Sequence, residues 1–184
     1  TQSDPAFCGL GSLVMSLNSL QADPQRVWRG PWRWFDEEML DCCSPIEVIK
    51  QQGISMREFS CLASCNGANV QTRYAQSFTE KDLRDEVERV VRQENGVVLV
   101  ASYHRGGLQQ TGTGHFRPIG GYHKGRDLVL VMDVARFKYP PHWVKLSELY
   151  QAMLPIDIAT GKSRGWHLLR KRTEHLSVVH FPLH

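Results

Sequence analysis

No stretch of the 184 residues approaches the run of about eighteen apolar residues that a membrane helix needs, so no membrane span is expected. No secretory signal is present, and the chain opens on Thr1 rather than Met, so it reads as a fragment or a processed form. CxxC pairs are missing, and the five cysteines follow neither a disulfide-scaffold nor a zinc-finger spacing. An odd number cannot all pair internally, and a reducing, cytoplasmic setting is the expectation. Internal repeats and low-complexity segments are also missing. So is a dominant charge sign: 22 Lys and Arg against 19 Asp and Glu leave +3, spread along the chain, which excludes a nucleic-acid footprint. What remains is ordinary: 41% hydrophobic and 22% charged residues, enough for one soluble domain that could divide into two small lobes.

The most informative stretch is the first twenty residues. Leu10, Leu13, Val14, Leu17 and Leu20 fall on one face of a helix. Pro5 cannot sit inside that helix, so it starts after Pro5 and close to Cys8. Unpaired N–H groups and the positive dipole end at a helix start favour a thiolate. Gly9 brings no side chain, which would let a substrate carbonyl approach the sulfur. Gln2 lies six residues before Cys8, and its amide suits an oxyanion hole. The alternative for Cys8 is a small buried hydrophobe.

Along the first half, Ala22–Phe35 reads as a loop whose Trp28, Trp32 and Trp34 bury as core packing or line a cavity wall. Asp36–Cys43 reads as a short helix with acids in its first turn. Ser44-Pro45-Ile46-Glu47 combines an N-cap serine, a first-turn proline and a capping-box glutamate, opening a helix that runs to Gln52 and stops at Gly53. Ser55 and Glu58 repeat the box and open a helix over Met56–Cys65. Val70–Tyr74 suits a short strand. Thr79–Glu94 is an amphipathic helix with Leu83, Val87, Val90 and Val91 on one face.

The second half changes period. Gly96–Tyr103 is a nearly continuous apolar strand, hence central. His104–Gly114 reads as a loop, His115–Tyr122 and Arg126–Asp133 as strands, Val134–Val144 as irregular because of Pro140-Pro141, Lys145–Met153 as a helix and Gly165–Arg170 as a last strand. Helices first and antiparallel strands after read as an α+β fold, a mainly helical lobe over residues 1–95 and a mainly sheet lobe over 96–184. A three-residue turn with Gly125 left-handed pairs Tyr122 with Arg126, which sets His115 opposite Asp133 on one face. A carboxylate there orients an imidazole and stabilises its cation. The order Cys, His, Asp is one that papain-like enzymes use. The other reading of the pair is a structural hydrogen bond, and a one-residue slip would part the two.

Several strings resemble the phytochelatin synthase family: Thr1-Gln-Ser-Asp-Pro-Ala-Phe-Cys-Gly-Leu10, Gly30-Pro-Trp-Arg-Trp-Phe-Asp36, Leu40-Asp-Cys-Cys43, Tyr103-His-Arg-Gly106, Gln110 to Tyr122 and Asp133 to Val144. The resemblance covers most of the chain and implies a papain-like cysteine-protease fold. It implies glutathione γ-glutamylcysteinyltransferase activity, in which glycine is cleaved from glutathione and γ-Glu-Cys moves to another glutathione or a phytochelatin. It maps a catalytic triad onto Cys8, His115 and Asp133, the oxyanion glutamine onto Gln2, and acyl binding onto Arg105, Gly114, Asp157 and Arg164. A free α-amine and α-carboxylate on the γ-glutamyl group call for one acid and one or two arginines, in agreement.

The resemblance also implies partners and metals. Glutathione and phytochelatin peptides, free or metal-bound, are the expected partners, with no nucleic acid and no membrane, and a homodimer is left open. No organic cofactor is expected. Cadmium and zinc enter as activators or as glutathione thiolate complexes, since thiolates suit soft ions. No protein metal site is assigned; vicinal Cys42 and Cys43 and the i,i+4 pair Cys61 and Cys65 are the candidates, with packing favoured over ligation. Short members of the family can act chiefly as glutathione hydrolases, and a thiol-rich metal buffer is the non-catalytic alternative.

Overall fold

The computed structural model describes residues 5–27, 30–92, 96–108, 114–134 and 140–173. Among these residues, five helices pack on a six-stranded antiparallel sheet. The helices are α1 (Cys8–Ser19), α2 (Ile46–Gln52), α3 (Met56–Cys65), α4 (Glu80–Arg92) and α5 (Leu146–Met153). The sheet runs β1 (Ala68–Tyr74), β8 (Gly165–Lys171), β2 (Val97–His104), β3 (Gly114–His123), β4 (Leu128–Val131), β5 (His142–Lys145), and a separate two-stranded ribbon joins β6 (Ile156–Asp157) to β7 (Lys162–Ser163). β1, from the helical first half, thus forms one edge of the sheet.

Alternation along the central strands divides the core in two. Val100, Phe116 and Leu169 face Leu10, Leu13 and Leu17 of α1 and Phe59 and Leu62 of α3. Leu99, Ala101, Tyr103, Trp166 and Leu168 face Leu83 and Val87 of α4 and Leu146 and Leu149 of α5. α3 begins as its sequence predicts: Ser55 and Glu58 exchange both bonds of a capping box.

Several local expectations are corrected. The helix expected over Asp36–Cys43 is only a 3-10 turn, Glu37–Met39, capped by Asp36. Ser44 does not cap α2; its hydroxyl donates to Glu58 Oε1 at 3.3 Å, and Pro45 holds the N-cap position. Trp32 and Trp34 do not bury. They stack on each other at 5.1 Å and stay 57% and 42% exposed, while Trp28 lies outside the described residues. The segment expected to be irregular contains β5, which starts directly after Pro141, where an edge strand tolerates the missing donor. Gly125 is not the left-handed residue of the β3–β4 turn. Asp127 is, at φ +51°, and its carboxylate accepts from Tyr122 Oη at 2.6 Å and from Arg84 at 2.9 and 3.0 Å. Those bonds hold an aspartate where glycine is the usual occupant.

Candidate active site

Cys8 opens α1 directly after a 3-10 turn, Pro5–Phe7, and is half-buried. It is the only free cysteine of the five. The helix is tied to β3: buried Ser12 donates to the Phe116 carbonyl at 2.6 Å. Gly9 lets the two elements close up. A Cβ there would stand 3.4 Å from the Phe116 ring and collide with Ile54. Gly9 is itself buried, so its missing side chain serves packing and not substrate access, a correction to the sequence reading. This docking sets the N-terminus of α1 beside the start of β3, where His115 lies.

His115 is 4% exposed and sits opposite Tyr103 of β2, whose ring meets the imidazole edge-on at 6.4 Å. Nδ1 of His115 lies 3.2 Å from the Gly114 carbonyl, and Nε2 touches the guanidinium of Arg117. Arg117 Nη2 pairs with Asp133 Oδ1 at 2.8 Å, and Nη1 donates to the Phe116 carbonyl at 2.6 Å. Both side chains of the ion pair are fully buried.

The register explains this. Ile119 stands opposite Val131, and Met132 N donates to Pro118 O at 2.9 Å, which carries Asp133 opposite Arg117. The expectation of Asp133 opposite His115 therefore shifts by two residues. The connection is longer than three residues, since His123 pairs with Leu128, and the ladder then slips at Gly120. A two-residue shift keeps the face, so His115, Arg117 and Asp133 still gather on one side of the sheet.

Cys8 lies within electrostatic reach of the same group. Burial first, then Asp133 and Cys8, push the Tyr103 phenol well above its ordinary value, against Arg117 and Arg105. Burial and then the like charge of Arg117 lower the Arg105 guanidinium, while Cys8, Asp133 and Tyr103 hold it charged. Cys8, Tyr103, Arg105, Arg117 and Asp133 thus act on one another, and His115 lies against Tyr103 and Arg117. The Tyr103 hydroxyl has no hydrogen-bond partner among the described residues.

Three of the expected substrate residues come together beside His115. The Arg164 guanidinium lies over Gly114, with Nε 3.2 Å from where a Cβ would stand. Its Nη2 is 4.0 Å from Asp157 Oδ1, and its Nη1 donates to Pro155 O at 3.3 Å. Arg105 opens the 3-10 turn after β2 and is 8% exposed. Gln2 lies outside the described residues.

The sequence reading missed Arg117 and Tyr103. The signal for Arg117 was present: it stands two residues from His115 in an apolar central strand, hence on the same face, and a buried cation needs a counter-charge. Tyr103 carried no such signal.

A second cluster lies at the C-terminal end of α3. Cys42 bonds Cys65 and Cys43 bonds Cys61, with Cα atoms 6.6 and 6.1 Å apart. The sequence reading expected four packing thiols; the structure joins them as two pairs. The sulfurs of Cys42, Cys43 and Cys65 lie within 4.8 Å of one another, and Asn66 Nδ2 stands 3.4 Å from two of them.

A family model described as phytochelatin synthase matches residues 1–166. A glutathione gamma-glutamylcysteinyltransferase of Lotus japonicus is 53% identical over 98% of this chain and 37% of its own length. One from Arabidopsis thaliana is 54% identical over 93% and 35%, and one from Schizosaccharomyces pombe 45% identical over 100% and 42%. The chain therefore spans between a third and a half of these relatives. Among solved structures, a double glycine motif protease from an AMS/PCAT transporter, in complex with its leader peptide, is similar in fold at a TM-score of 0.54 and 15% identity, over 94% of this chain and 89% of that one. That likeness is one of fold, helices packed on an antiparallel sheet. With the family model over nine-tenths of its length and half its residues shared with plant relatives, the chain belongs to the phytochelatin synthase family.

Proposed function

We propose that this chain cleaves glycine from glutathione and transfers γ-Glu-Cys to a second glutathione or a phytochelatin. The observation that carries this is a free cysteine at the start of α1, a helix docked on β3 at Phe116, next in the chain to His115 and its buried Arg117–Asp133 pair. The Cys8 thiolate attacks the Cys–Gly carbonyl carbon. Gln2 and the Cys8 backbone N–H hold the oxyanion. The C–N bond breaks as His115 gives its proton to the departing glycine amine. A γ-Glu-Cys thioester remains on Cys8. The α-amine of the second glutathione then loses a proton to His115 and attacks, and the C–S bond breaks to return Cys8. Arg105 and Arg164 suit the α-carboxylate of the acyl group, Asp157 suits its α-amine, and Gly114 leaves the Arg164 guanidinium its place.

Water in place of the second glutathione gives hydrolysis, and no catalysis at all gives a thiol metal buffer. Incubation with glutathione at high concentration, with and without cadmium, separates the three. Oligomers with free glycine support transfer; free γ-Glu-Cys with glycine supports hydrolysis; no glycine supports the buffer.

Cadmium or zinc has two routes. The first is as the bis-glutathione thiolate, which makes the metal complex the acceptor substrate. The second is the sulfur cluster of Cys42, Cys43, Cys61 and Cys65. The donor set fits a soft ion once both bonds are reduced, because Cys43 Sγ and Cys65 Sγ, from different pairs, already stand 3.9 Å apart. This reading keeps the chain in a reducing compartment, the cytoplasm. Metal dependence unchanged in a variant with all four cysteines replaced by serine supports the substrate route; its loss supports the protein site.

A further inference from the structure

Arg117 makes a contact that restricts what His115 can do. Its buried guanidinium bonds Asp133 Oδ1 at 2.8 Å and touches His115 Nε2. Arginine has donors only, so the contact is favourable only while Nε2 carries no proton and accepts. A neutral imidazole of that kind holds its proton on Nδ1, which faces the Gly114 carbonyl at 3.2 Å. An imidazolium carries a proton on both nitrogens and repels a second cation in a dry site. An Nε2 proton and the Arg117 guanidinium therefore exclude each other from that contact, and Asp133 is the acid paired with Arg117.

We propose that Arg117 is a positioning residue that sets how readily His115 accepts the Cys8 proton. With the guanidinium on Nε2, His115 is neutral and Cys8 keeps its proton. When Arg117 withdraws onto Asp133 alone, the proton leaves Cys8 Sγ, the imidazole becomes doubly protonated, and the thiolate forms. No electrons move, and no third reactant is needed. This rests on the reading that Cys8 and His115 are the reacting pair.

Among the described residues, Tyr103 on β2 and Arg117 on β3 meet the imidazole, Asp133 after β4 pairs with Arg117, Arg164 lies over the neighbouring Gly114, and Cys8 on α1 and Arg105 after β2 act on Tyr103. Burial raises the Tyr103 phenol above its ordinary range. Removing the Arg117 charge raises the proton affinity of His115 and so favours the thiolate to lower pH.

The test is the rate of Cys8 alkylation by iodoacetamide at pH 6 relative to pH 9, read by peptide mass spectrometry without glutathione. Arg117→Met is expected to raise this ratio at least threefold over wild type. Arg117→Lys, which keeps the charge, is expected to stay within twofold. A folded Arg117→Met with an unchanged or lower ratio overturns the proposal, as does an Arg117→Lys that rises with it. Should Arg117→Met not fold, the nitrogen-15 imidazole spectrum of the wild type decides. Neutral His115 with the proton on Nδ1 at pH 7 supports the proposal, and an Nε2–H or doubly protonated ring overturns it. A Cys8 that follows the alkylation pattern but never forms a thioester with glutathione removes the transferase reading and leaves the role of Arg117 standing.

Discussion

The guanidinium of Arg164 rests on Gly114, its Nε and Nη2 atoms 3.2 and 3.3 Å from the point where a Cβ would sit. The glycine itself is exposed, so its bareness serves Arg164 and not the core.

Gly114→Ala should therefore push Arg164 off its place beside Asp157 while leaving the fold intact. A charge-assisted hydrogen bond is worth about 1.5–3 kcal/mol, so KM for glutathione should rise roughly tenfold or more, with a smaller change in kcat. Steady-state glycine release checks this. An unchanged KM in a folded variant removes Arg164 from glutathione binding.

Gly9→Ala should act on stability. The new methyl meets Ile54 on one side and the Phe116 ring at 3.4 Å on the other. Overpacking of this kind costs about 1–3 kcal/mol. Adding Ile54→Ala should recover part of the loss, because the two sites share one space. Urea unfolding of the two single variants and the double variant tests this, and simple additivity of their effects would contradict it.

His167 gives the fold a pH dependence of its own. It is fully buried between β1 and β2, stacked on Phe59 at 4.7 Å, and its Nδ1 lies 3.0 Å from Thr72 Oγ1. Burial pushes its pKa down from 6.5 to about 3. The unfolded chain then binds a proton below pH 6.5 that the folded chain refuses until about pH 3. Its contribution is full above pH 6.5 and is lost as pH falls through that window, by at most about 1.4 kcal/mol per pH unit. His167→Phe keeps the stack and cannot titrate, so its unfolding free energy should fall less steeply between pH 6.5 and 4. Parallel slopes for variant and wild type would show that His167 is not the group.

Local signals were legible where one short segment decides the outcome. The period of Leu10, Leu13 and Leu17 places α1, Pro5 sets its start at Cys8, and Ser55 with Glu58 fixes the start of α3. Pairings between distant segments were less so. The register of β3 on β4 depends on a left-handed Asp127 held by Arg84 from α4, and on the slip at Gly120, neither of which a turn rule contains. The pairing of Cys42 with Cys65 and Cys43 with Cys61 depends on how α3 lies against the chain before α2. A shift of two residues keeps the face, so His115 and Asp133 stay on one side of the sheet. What changed was the residue opposite Asp133, and that residue, Arg117, had not been considered.

The central claim is that one sulfur, on Cys8, carries the acyl group. The direct measurement is intact and peptide mass spectrometry of the folded protein after rapid mixing with glutathione, with glycine assayed in the same samples. The account predicts a γ-Glu-Cys adduct on the Cys8 peptide and released glycine, both missing from Cys8→Ala. Glycine released by folded Cys8→Ala, or an adduct on another residue that turns over in its place, would contradict it.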